Sequence, residues 1–364
     1  MLKVAFDNQI FLMQKYGGAS RYFCEIYQNL VTNSELNARI IAPLHFNKHL
    51  KDLNISGNFY SKTSTSKYGF NKIYSKLSQA VTNQKIMNFS PDVLHQTYYN
   101  SKVPKDGIKN NVLTVFDLIH EKFSPDAPII AHKKKSILEA SHIICISEST
   151  KRDLQEYYEI DECKISTIHL AASDLFSIST DLIPIQNRNC NIVFVGQRSG
   201  YKNFTNFVKA FSNSLHVKNG FKLVVFGGGK FTQSELELFN QLRITSNIVK
   251  MDGDDQFLRR LLNSSIAFVY PSLYEGFGIP VLEALLSGCI VLASNTSSLP
   301  EVGGAHVRYF DPSSLESMQE ALDSLESSIH TYDQLAQLDG AMWAQKFTWQ
   351  SCAAKTLSLY KSFI

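Results

Sequence analysis

The sequence lacks the signatures of several common protein classes. Its six cysteines are scattered, without a C-x-x-C pair and without a cysteine–histidine cluster of metal-site spacing. No apolar run is long enough to span a bilayer, and the opening MLKVAFDNQIFLMQKYGG lacks the long apolar core of a signal peptide. The net charge of +3 is too small to indicate nucleic acid by itself. We therefore expect no metal, no nucleic-acid partner, no membrane span and a reducing, cytoplasmic location.

Two phosphate-binding fingerprints are also absent. The string VVFGGGK, residues 224–230, lacks the G-x-G-x-x-G spacing of a dinucleotide site, which argues against a Rossmann oxidoreductase. The string KYGGASRYF lacks the G-K-[ST] ending of a P-loop. The glycines at 227–229 therefore either tighten a turn or let backbone pass near a base. Gly17 and Gly18 precede a helical pattern and can still offer N–H groups to a phosphate.

What the sequence does contain is an alternation of short apolar strands and helical patterns along 364 residues, enough for two domains. We predict an α/β protein with two Rossmann-like, doubly wound parallel-sheet domains facing a cleft. The first spans residues 1–178 and the second residues 190–348. The polar, proline-containing stretch at 174–189 is the predicted linker, and residues 349–364 form an amphipathic helix.

Two glutamates eight residues apart, Glu275 and Glu283, lie in the segment PSLYEGFGIPVLEALLSG. A buried strand is predicted at 266–270, then a glycine loop, then a helix begun by Pro280. This order aims unpaired N–H groups at one point, where an anion would bind. Carboxylates accept hydrogen bonds from sugar and ribose hydroxyls. The segment therefore indicates a nucleotide-sugar pocket, although glutamates near a helix start also occur simply to complement the helix dipole.

Two cations follow the first strand of the second domain in the string VGQRSGYKNF. Arg198 and Lys202 stand four residues apart at a strand-to-helix turn, a position that suits a diphosphate. The alternative is two ordinary surface cations.

Acidic residues at two further turns allow two interpretations each. Asp117, in TVFDLIHEKF, is either a general base or a helix or turn cap. In MDGDDQF, Asp252 and Asp254 form an Asp-x-Asp, which holds a metal in some sugar transferases. Asp254 or Asp255 directly precedes a predicted helix, so we favour helix capping over metal binding.

Basic residues are concentrated between residues 40 and 110, a stretch that contains ten lysines and only three aspartates. The predicted helix at 69–89 combines these lysines with aromatic residues. It presents either a solvated basic face over a core stripe or a surface that docks on an anionic membrane. A short serine- and lysine-rich patch lies at 61–67.

Taken together, these motifs resemble a family-four retaining glycosyltransferase of the GT-B fold, and within it bacterial enzymes that build O-antigen or capsule polysaccharides. The resemblance covers essentially the whole chain. Besides the segments above it rests on GGASRYF, HIICISESTKRDL, KISTIHLAASDLF and SSLPEVGG. One departure is Phe116, where many relatives have histidine beside the donor sugar.

The resemblance implies a role for each site residue. Glu283 would bind the nucleotide ribose, Arg198 and Lys202 would neutralise the diphosphate, and no metal or other cofactor would be needed. The residues expected to hold the sugar and the distal phosphate are Glu275, Gly276, Phe277 and Gly278. Gly17 and Gly18 would approach the diphosphate from the first domain. The residues expected to take part in catalysis are Asp117, Arg198, Lys202 and Glu275.

The expected activity is transfer of a hexose from a nucleotide-diphosphate sugar to a growing glycan or lipid-linked acceptor, with retention of configuration, in the cytoplasm or peripherally on the inner face of the cell membrane. The alternatives are a nucleotide-sugar epimerase of the same fold, which needs no acceptor, and a non-catalytic nucleotide-sugar binding protein. The C-terminal helix is expected to pack back on the first domain.

Overall fold

The computed structural model describes residues 1–61, 68–99, 104, 107–176, 182–331 and 334–364. Most of the serine- and lysine-rich patch, several of the clustered lysines and residues 177–181 of the predicted linker lie outside the described residues. The chain divides into two compact units. Unit 1 comprises Met1–Leu170 and Trp349–Ile364, and unit 2 comprises Ala171–Thr348.

The elements are as follows, in chain order. The strands are β1 (Leu2–Phe6), β2 (Leu36–Ile40), β3 (Leu44–His45), β4 (Phe59–Tyr60), β5 (Val93–Gln96), β6 (Asn110–Val115), β7 (His142–Cys145), β8 (Ile165–Thr167), β9 (Asn189–Val195), β10 (Lys222–Phe226), β11 (Ile248–Met251), β12 (Ser265–Tyr270), β13 (Ile290–Ser294) and β14 (Val307–Phe310). The helices are α1 (Gln9–Met13), α2 (Gly18–Val31), α3 (Lys48–Asp52), α4 (Tyr68–Phe89), α5 (Ile119–Phe123), α6 (Ile129–Glu139), α7 (Glu148–Tyr158), α8 (Phe204–Asn213), α9 (Leu215–Lys218), α10 (Gln233–Gln241), α11 (Asp255–Asn263), α12 (Ile279–Leu286), α13 (Leu299–Gly303), α14 (Leu315–Asp323), α15 (Leu325–Thr331), α16 (Gln334–Ala344) and α17 (Trp349–Lys361).

Unit 1 is built on a six-stranded sheet in the order β2-β1-β5-β6-β7-β8, with every pairing parallel. Strands β5 and β7 are buried along their whole length, as expected for central strands covered by helices on both faces. β3 and β4 form a separate two-stranded ribbon.

The C-terminal helix α17 belongs to unit 1 and packs against α2. The ring of Trp349 lies 6.3 Å from that of Tyr22, and both side chains are buried. At the other end of α17, the hydroxyl of Tyr360 lies 2.6 Å from His95 Nδ1 on β5. The helix is therefore tied to the sheet as well as to α2.

Unit 2 contains a second parallel sheet, also six-stranded, in the order β11-β10-β9-β12-β13-β14. Its first strand, β9, sits in the middle, and the strand order reverses direction between β9 and β12. Helix α8 packs its apolar side chains against the sheet. Among them, Phe204, Phe207 and Phe211 are fully buried. In a doubly wound sheet, ligands bind at the carboxyl ends of the strands where this reversal occurs. The topology thus points to the β9 and β12 ends as the place for a site.

The predicted α/β class with two doubly wound parallel sheets is confirmed. The predicted helix over residues 69–89 is present as α4, which over residues 76–89 buries Ser78, Thr82, Ile86 and Phe89 and exposes Lys76 and Lys85. The boundary between the two units falls between Leu170 and Ala171, ahead of the predicted linker. The chain from Ala171 onward therefore already belongs to unit 2.

Candidate functional site

The loop between β12 and α12 is held in place by serines of the next strand-to-helix connection. Ser297 Oγ accepts a hydrogen bond from the Glu275 backbone N–H at 2.9 Å. Ser298 Oγ donates hydrogen bonds to the carbonyl oxygens of Glu275 and Phe277, at 2.9 and 2.7 Å. At the end of the loop, Gly278 has φ +115°, where a side chain would be strained, and an added Cβ would lie 2.8 Å from Leu299 Cδ2. The glycine loop is therefore a fixed structure that leads directly into α12.

Lys202 and Glu275 form the centre of the site. Lys202 Nζ lies 2.6 Å from Glu275 Oε1 and donates a second hydrogen bond to the Tyr270 hydroxyl at 3.0 Å. Both side chains are largely shielded, with 14% and 11% of their surface exposed. Burial, followed by the Glu275 carboxylate, raises the pKa of Tyr270 well above its usual range, so the phenol stays neutral. The Lys202 ammonium thus contacts both a carboxylate and a phenol.

The two loops that carry these residues meet at the reversal point of the sheet. Lys202 is the last residue of a 3₁₀ turn, Gly200–Lys202, that follows β9, and Glu275 follows β12. The Leu273 N–H donates to the Tyr201 carbonyl at 2.7 Å, which joins the two loops directly. Because β9 and β12 are adjacent in the sheet, residues 73 positions apart in the chain become neighbours.

Glu283 lies on α12, eight residues after Glu275, and is 7% exposed. Its charge contributes to the raised pKa of Tyr270, after burial, Glu275 and Tyr201. The structure therefore brings Glu275 and Lys202 together at Tyr270, and Glu283 lies on the helix that follows the glycine loop. Their contacts with a sugar and a ribose remain predictions.

Arg198 is arranged differently from Lys202. A guanidinium has five N–H donors. Nε and Nη2 donate to Glu235 at 2.6 and 3.2 Å, Nη2 also donates to the Lys230 carbonyl at 2.7 Å, and Nη1 donates to the carbonyls of Gly227 and Gly229 at 3.3 Å each. All five donors are engaged within unit 2. These contacts hold the guanidinium against its own unit, and the binding of a diphosphate by Arg198 stays a prediction.

In unit 1, Asp117 follows β6 and its carboxylate accepts a hydrogen bond from the Ile119 N–H at 3.0 Å, at the start of α5. The cap interpretation thus has a direct observation, and the general-base interpretation stays a prediction. The Asp117 carbonyl is held by the ammonium of Lys133, a side chain only 1% exposed. Lys133 is paired with buried Glu121 at 3.0 Å, and Tyr158 donates to the same carboxylate. This buried ion pair sets the backbone at Asp117.

Gly17 and Gly18 stand at the start of α2, as predicted. Gln14 Oε1 already accepts a hydrogen bond from the Ser20 N–H at 3.2 Å. A Cβ on Gly17 would lie 2.3 Å from that same oxygen, whereas one on Gly18 would meet nothing within 4 Å. Gly17 thus lies in close contact with the end of the Gln14 side chain, and a phosphate contact at this helix start remains a prediction.

Two further residues of unit 1, His95 and Phe116, have structural explanations. His95 is fully buried between Tyr360 and Thr114, and burial lowers its pKa to about 3, so it is a neutral hydrogen-bonding residue of the core. Phe116, in place of the histidine of many relatives, packs edge-on against Tyr22 and Phe23 with ring centroids 5.4 and 6.1 Å away. An aromatic cluster therefore accommodates the departure.

The Asp-x-Asp is explained without a ligand. Asp254 caps α11 by accepting from the Phe257 N–H at 2.8 Å, and Asp252 pairs with Lys250 at 2.7 Å. The capping interpretation is confirmed. Within the described ranges, no three His, Cys, Asp or Glu side chains come together as a metal site. Among the helices that the structure describes, none combines the length and apolarity needed to cross a membrane.

Sequence reasoning missed several members of the site. Tyr270 was assigned only to a strand, although a tyrosine at the last position of a buried strand is a detectable signal. Ser297 and Ser298 were noted as part of SSLPEVGG without a role. The spacing of Thr232 and Glu235 signals a capping box, but the pairing of Glu235 with Arg198 gave no signal, because the two lie 37 residues apart in the chain.

Comparison with known proteins agrees with this fold. Residues 183–337 match the family model "Glycosyl transferases group 1". The O-antigen chain mannosyltransferase B of Escherichia coli is 26% identical over 62% of this chain and 62% of its own length. Thus the alignment spans about three fifths of that relative.

Solved structures are similar over essentially the whole chain. A glycosyltransferase from Rickettsia africae ESF-5 superposes with a TM-score of 0.74 at 18% identity, covering 100% of this chain and 98% of its own. Anabaena Alr3699/HepE, solved in complex with UDP and glucose, superposes with a TM-score of 0.72 at 13% identity, covering 100% of both chains. These likenesses show the GT-B fold. Residues 183–337 thus belong to the group 1 glycosyltransferases.

Proposed function

We propose that the protein is a retaining glycosyltransferase that moves a hexose from a nucleotide-diphosphate sugar to a growing cell-surface polysaccharide or a similar lipid-linked glycan. The observation that carries the proposal is the Lys202–Glu275 pair beside a glycine loop and helix start, at the reversal point of a parallel sheet. Such a place suits a diphosphate on the cation and the N–H groups, with a sugar on the carboxylate. Mannose is the first sugar to test, since the relative named above is a mannosyltransferase.

In the proposed reaction, Lys202 neutralises charge that develops on the departing diphosphate. Stabilisation of this kind is commonly a large part of enzymatic rate enhancement. The bond from the sugar C1 to the phosphate oxygen breaks, and a bond from C1 to the acceptor oxygen forms on the same face. The acceptor proton passes to the departing phosphate oxygen. Glu275 holds the sugar hydroxyls and Glu283 the ribose during this exchange.

The first test is a thermal-shift screen of UDP, GDP, ADP and their hexose conjugates, followed by the same screen on Glu283→Ala. We expect at least one nucleoside diphosphate to stabilise the wild type, by a shift that shrinks in the variant. Stabilisation by none of them would contradict the proposal.

The second test separates transfer from the alternatives. The donor that binds is incubated with and without mannose-containing acceptor glycosides, and the product is analysed by NMR for its anomeric configuration. A new glycosidic bond of unchanged configuration is expected only with acceptor. An epimerised donor formed without acceptor would identify an epimerase, and binding without turnover would identify a binding protein.

A membrane contact through α4 is part of the proposal. Its described part exposes Lys76 and Lys85 together with Leu77 and Met87, which are 57% and 53% exposed. Basic and apolar side chains on one helix favour binding to anionic lipid. We expect co-sedimentation with vesicles containing anionic lipid, reduced in Lys85→Glu, and no co-sedimentation with neutral vesicles. Equal binding to both would count against an electrostatic contact.

A further inference from the structure

The glycine loop after β10 has an unusual backbone. Gly227, Gly228 and Gly229 have φ values of +75°, +73° and +75°, a conformation that side chains rarely adopt. A Cβ on Gly228 would lie 2.4 Å from the Gly196 carbonyl oxygen, so the loop lies flush against the end of β9. Three glycines in a row thus present bare backbone at the carboxyl edge of the sheet, beside the loop that carries Lys202.

Arg198 holds this loop from inside. Its side chain is 5% exposed and reaches carbonyls at three positions along it, Gly227, Gly229 and Lys230. The same Cβ on Gly228 would come within 2.7 Å of Arg198 Nη1. A lysine could not replace these contacts, because a single ammonium lacks the planar fork that reaches several acceptors at once.

Glu235 holds Arg198 in turn. Both of its carboxylate oxygens accept from the guanidinium, and it also forms a capping box with Thr232 at the start of α10. Burial alone would raise the pKa of Glu235, but hydrogen bonds from Arg198 and Thr232 lower it below its usual value, so the carboxylate is charged. The ring of Phe231 lies 5.0 Å from the guanidinium carbon and shields it. The chain of contacts runs from α10 through Arg198 to the loop.

We propose that Arg198 and Glu235 are a positioning pair, which fixes the backbone of residues 227–230 as the surface against which the nucleoside part of the donor lies, while neither side chain contacts the diphosphate. This inference rests on the proposed function, since it assumes a nucleotide donor. Lys202 is then the cation that meets the phosphates. A nucleobase can lie directly against glycine backbone, because no side chain stands between them. The position of that backbone then determines how well the nucleobase fits.

The test compares nucleoside 5′-monophosphate and 5′-diphosphate binding by calorimetry, using the base that binds the wild type. Arg198→Lys and Glu235→Gln are expected to weaken both ligands by the same factor, about 10-fold or more for a displaced contact surface, so that the ratio of the two dissociation constants stays at the wild-type value. Lys202→Met is expected to change that ratio, because it weakens the diphosphate far more than the monophosphate. Gly228→Ala displaces the loop without altering any charge and should reproduce the Arg198→Lys pattern.

Two results would overturn the inference. In the first, Arg198→Lys weakens the diphosphate alone, which would place the guanidinium on the phosphates. In the second, both nucleotides bind Arg198→Lys, Glu235→Gln and Gly228→Ala as they bind the wild type, which would mean that the loop does not shape the nucleoside site. Amide hydrogen exchange at residues 227–230 shows whether the loop has loosened while the rest of the unit stays folded. If the wild type binds no nucleotide, the proposed function and this inference both fall.

Discussion

Lys202 Nζ and Glu275 Oε1 lie 2.6 Å apart, each on a loop that follows one of two neighbouring strands. The carboxylate orients the ammonium and, under the proposed function, would also compete with a phosphate for it. The two partners would therefore have opposite effects on diphosphate binding, although they form one ion pair.

Replacing the two partners separately should reveal this opposition. We expect Lys202→Met to weaken nucleoside-diphosphate binding, and Glu275→Gln to leave it equal or tighter, because one negative charge near the phosphates is removed. Both variants should lower transfer, by roughly 100-fold or more for loss of an electrostatic group in an active site. Calorimetry and initial rates measure the two effects, with Lys209→Met on α8 as a matched control. Weaker diphosphate binding in Glu275→Gln would contradict the assignment.

Glu283 is expected to recognise ribose hydroxyls. If it does, Glu283→Gln should weaken the ribonucleoside diphosphate, by about 10-fold for a lost charge-assisted hydrogen bond. It should barely affect the 2′,3′-dideoxy analogue, which has no hydroxyl to lose. Competition binding with the two ligands on wild type and variant measures the difference. An equal loss for both ligands would show that Glu283 acts on something other than the ribose.

Asp117 has two interpretations that one isosteric substitution separates. Asn retains the oxygen that accepts from the Ile119 N–H, so Asp117→Asn should unfold at nearly the wild-type temperature. Asp117→Ala removes the cap and should lose about 1 kcal/mol of stability. If the carboxylate also acts as a base, Asp117→Asn should lose most of its transfer activity. Full activity in Asp117→Asn would leave capping as its role.

The buried His95 predicts an acid-sensitive fold. Its folded pKa of about 3 lies below the ordinary histidine value, so the unfolded chain takes up a proton that the folded chain does not. Its contribution to stability is complete above the unfolded pKa and is lost as pH falls toward the folded pKa. We expect a loss approaching 1.4 kcal/mol per pH unit across that window from this residue.

Denaturation at a series of pH values checks this expectation against His95→Phe. The variant starts less stable, because Thr114 and Tyr360 lose their shared partner. Its stability should depend less steeply on pH between about 6 and 4, where the wild-type residue contributes. Parallel curves for the two proteins would show that another group sets the acid sensitivity.

The C-terminal helix α17 is expected to be part of the folding unit of unit 1. Trp349 is 1% exposed and packs near Tyr22, so Trp349→Ala should cost about 3–5 kcal/mol. Lys361→Gln, at the exposed end of the same helix, removes only a surface ion pair with Glu35 and should leave the unfolding midpoint unchanged. Chemical denaturation distinguishes the two, and equal midpoints for Trp349→Ala and wild type would contradict the packing role.

The fold was largely predictable because its signals are local. Central strands such as β12 are short apolar runs, helices such as α8 carry an apolar stripe at helical spacing, and Asp254 is an N-cap directly before α11. Less regular elements were not predicted from the sequence. β14 has two half-buried residues among four, and α16 lacks a regular apolar stripe.

The site was predictable where its residues share one stretch of chain. Glu275, the glycines after it and Glu283 follow one another, and strand, loop and helix order places them at a sheet edge. Arg198 shows the limit of inferring a shared role from spacing in the sequence. Its spacing from Lys202 suggested a shared role, but the two side chains leave their common turn toward different partners, Glu235 and Glu275.

The sequence by itself thus determined the two parallel sheets, the strand-to-helix turns and the identity of the polar groups at those turns, because periodicity, glycine, proline and capping residues act over a few positions. Tertiary structure alone decided which charges meet. The distance of 2.6 Å from Lys202 to Glu275, like that from Arg198 to Glu235, follows from the strand order, which makes neighbours of residues 73 and 37 positions apart. Pairing across such separations depends on how the strands are ordered in the sheet, and no local pattern encodes that.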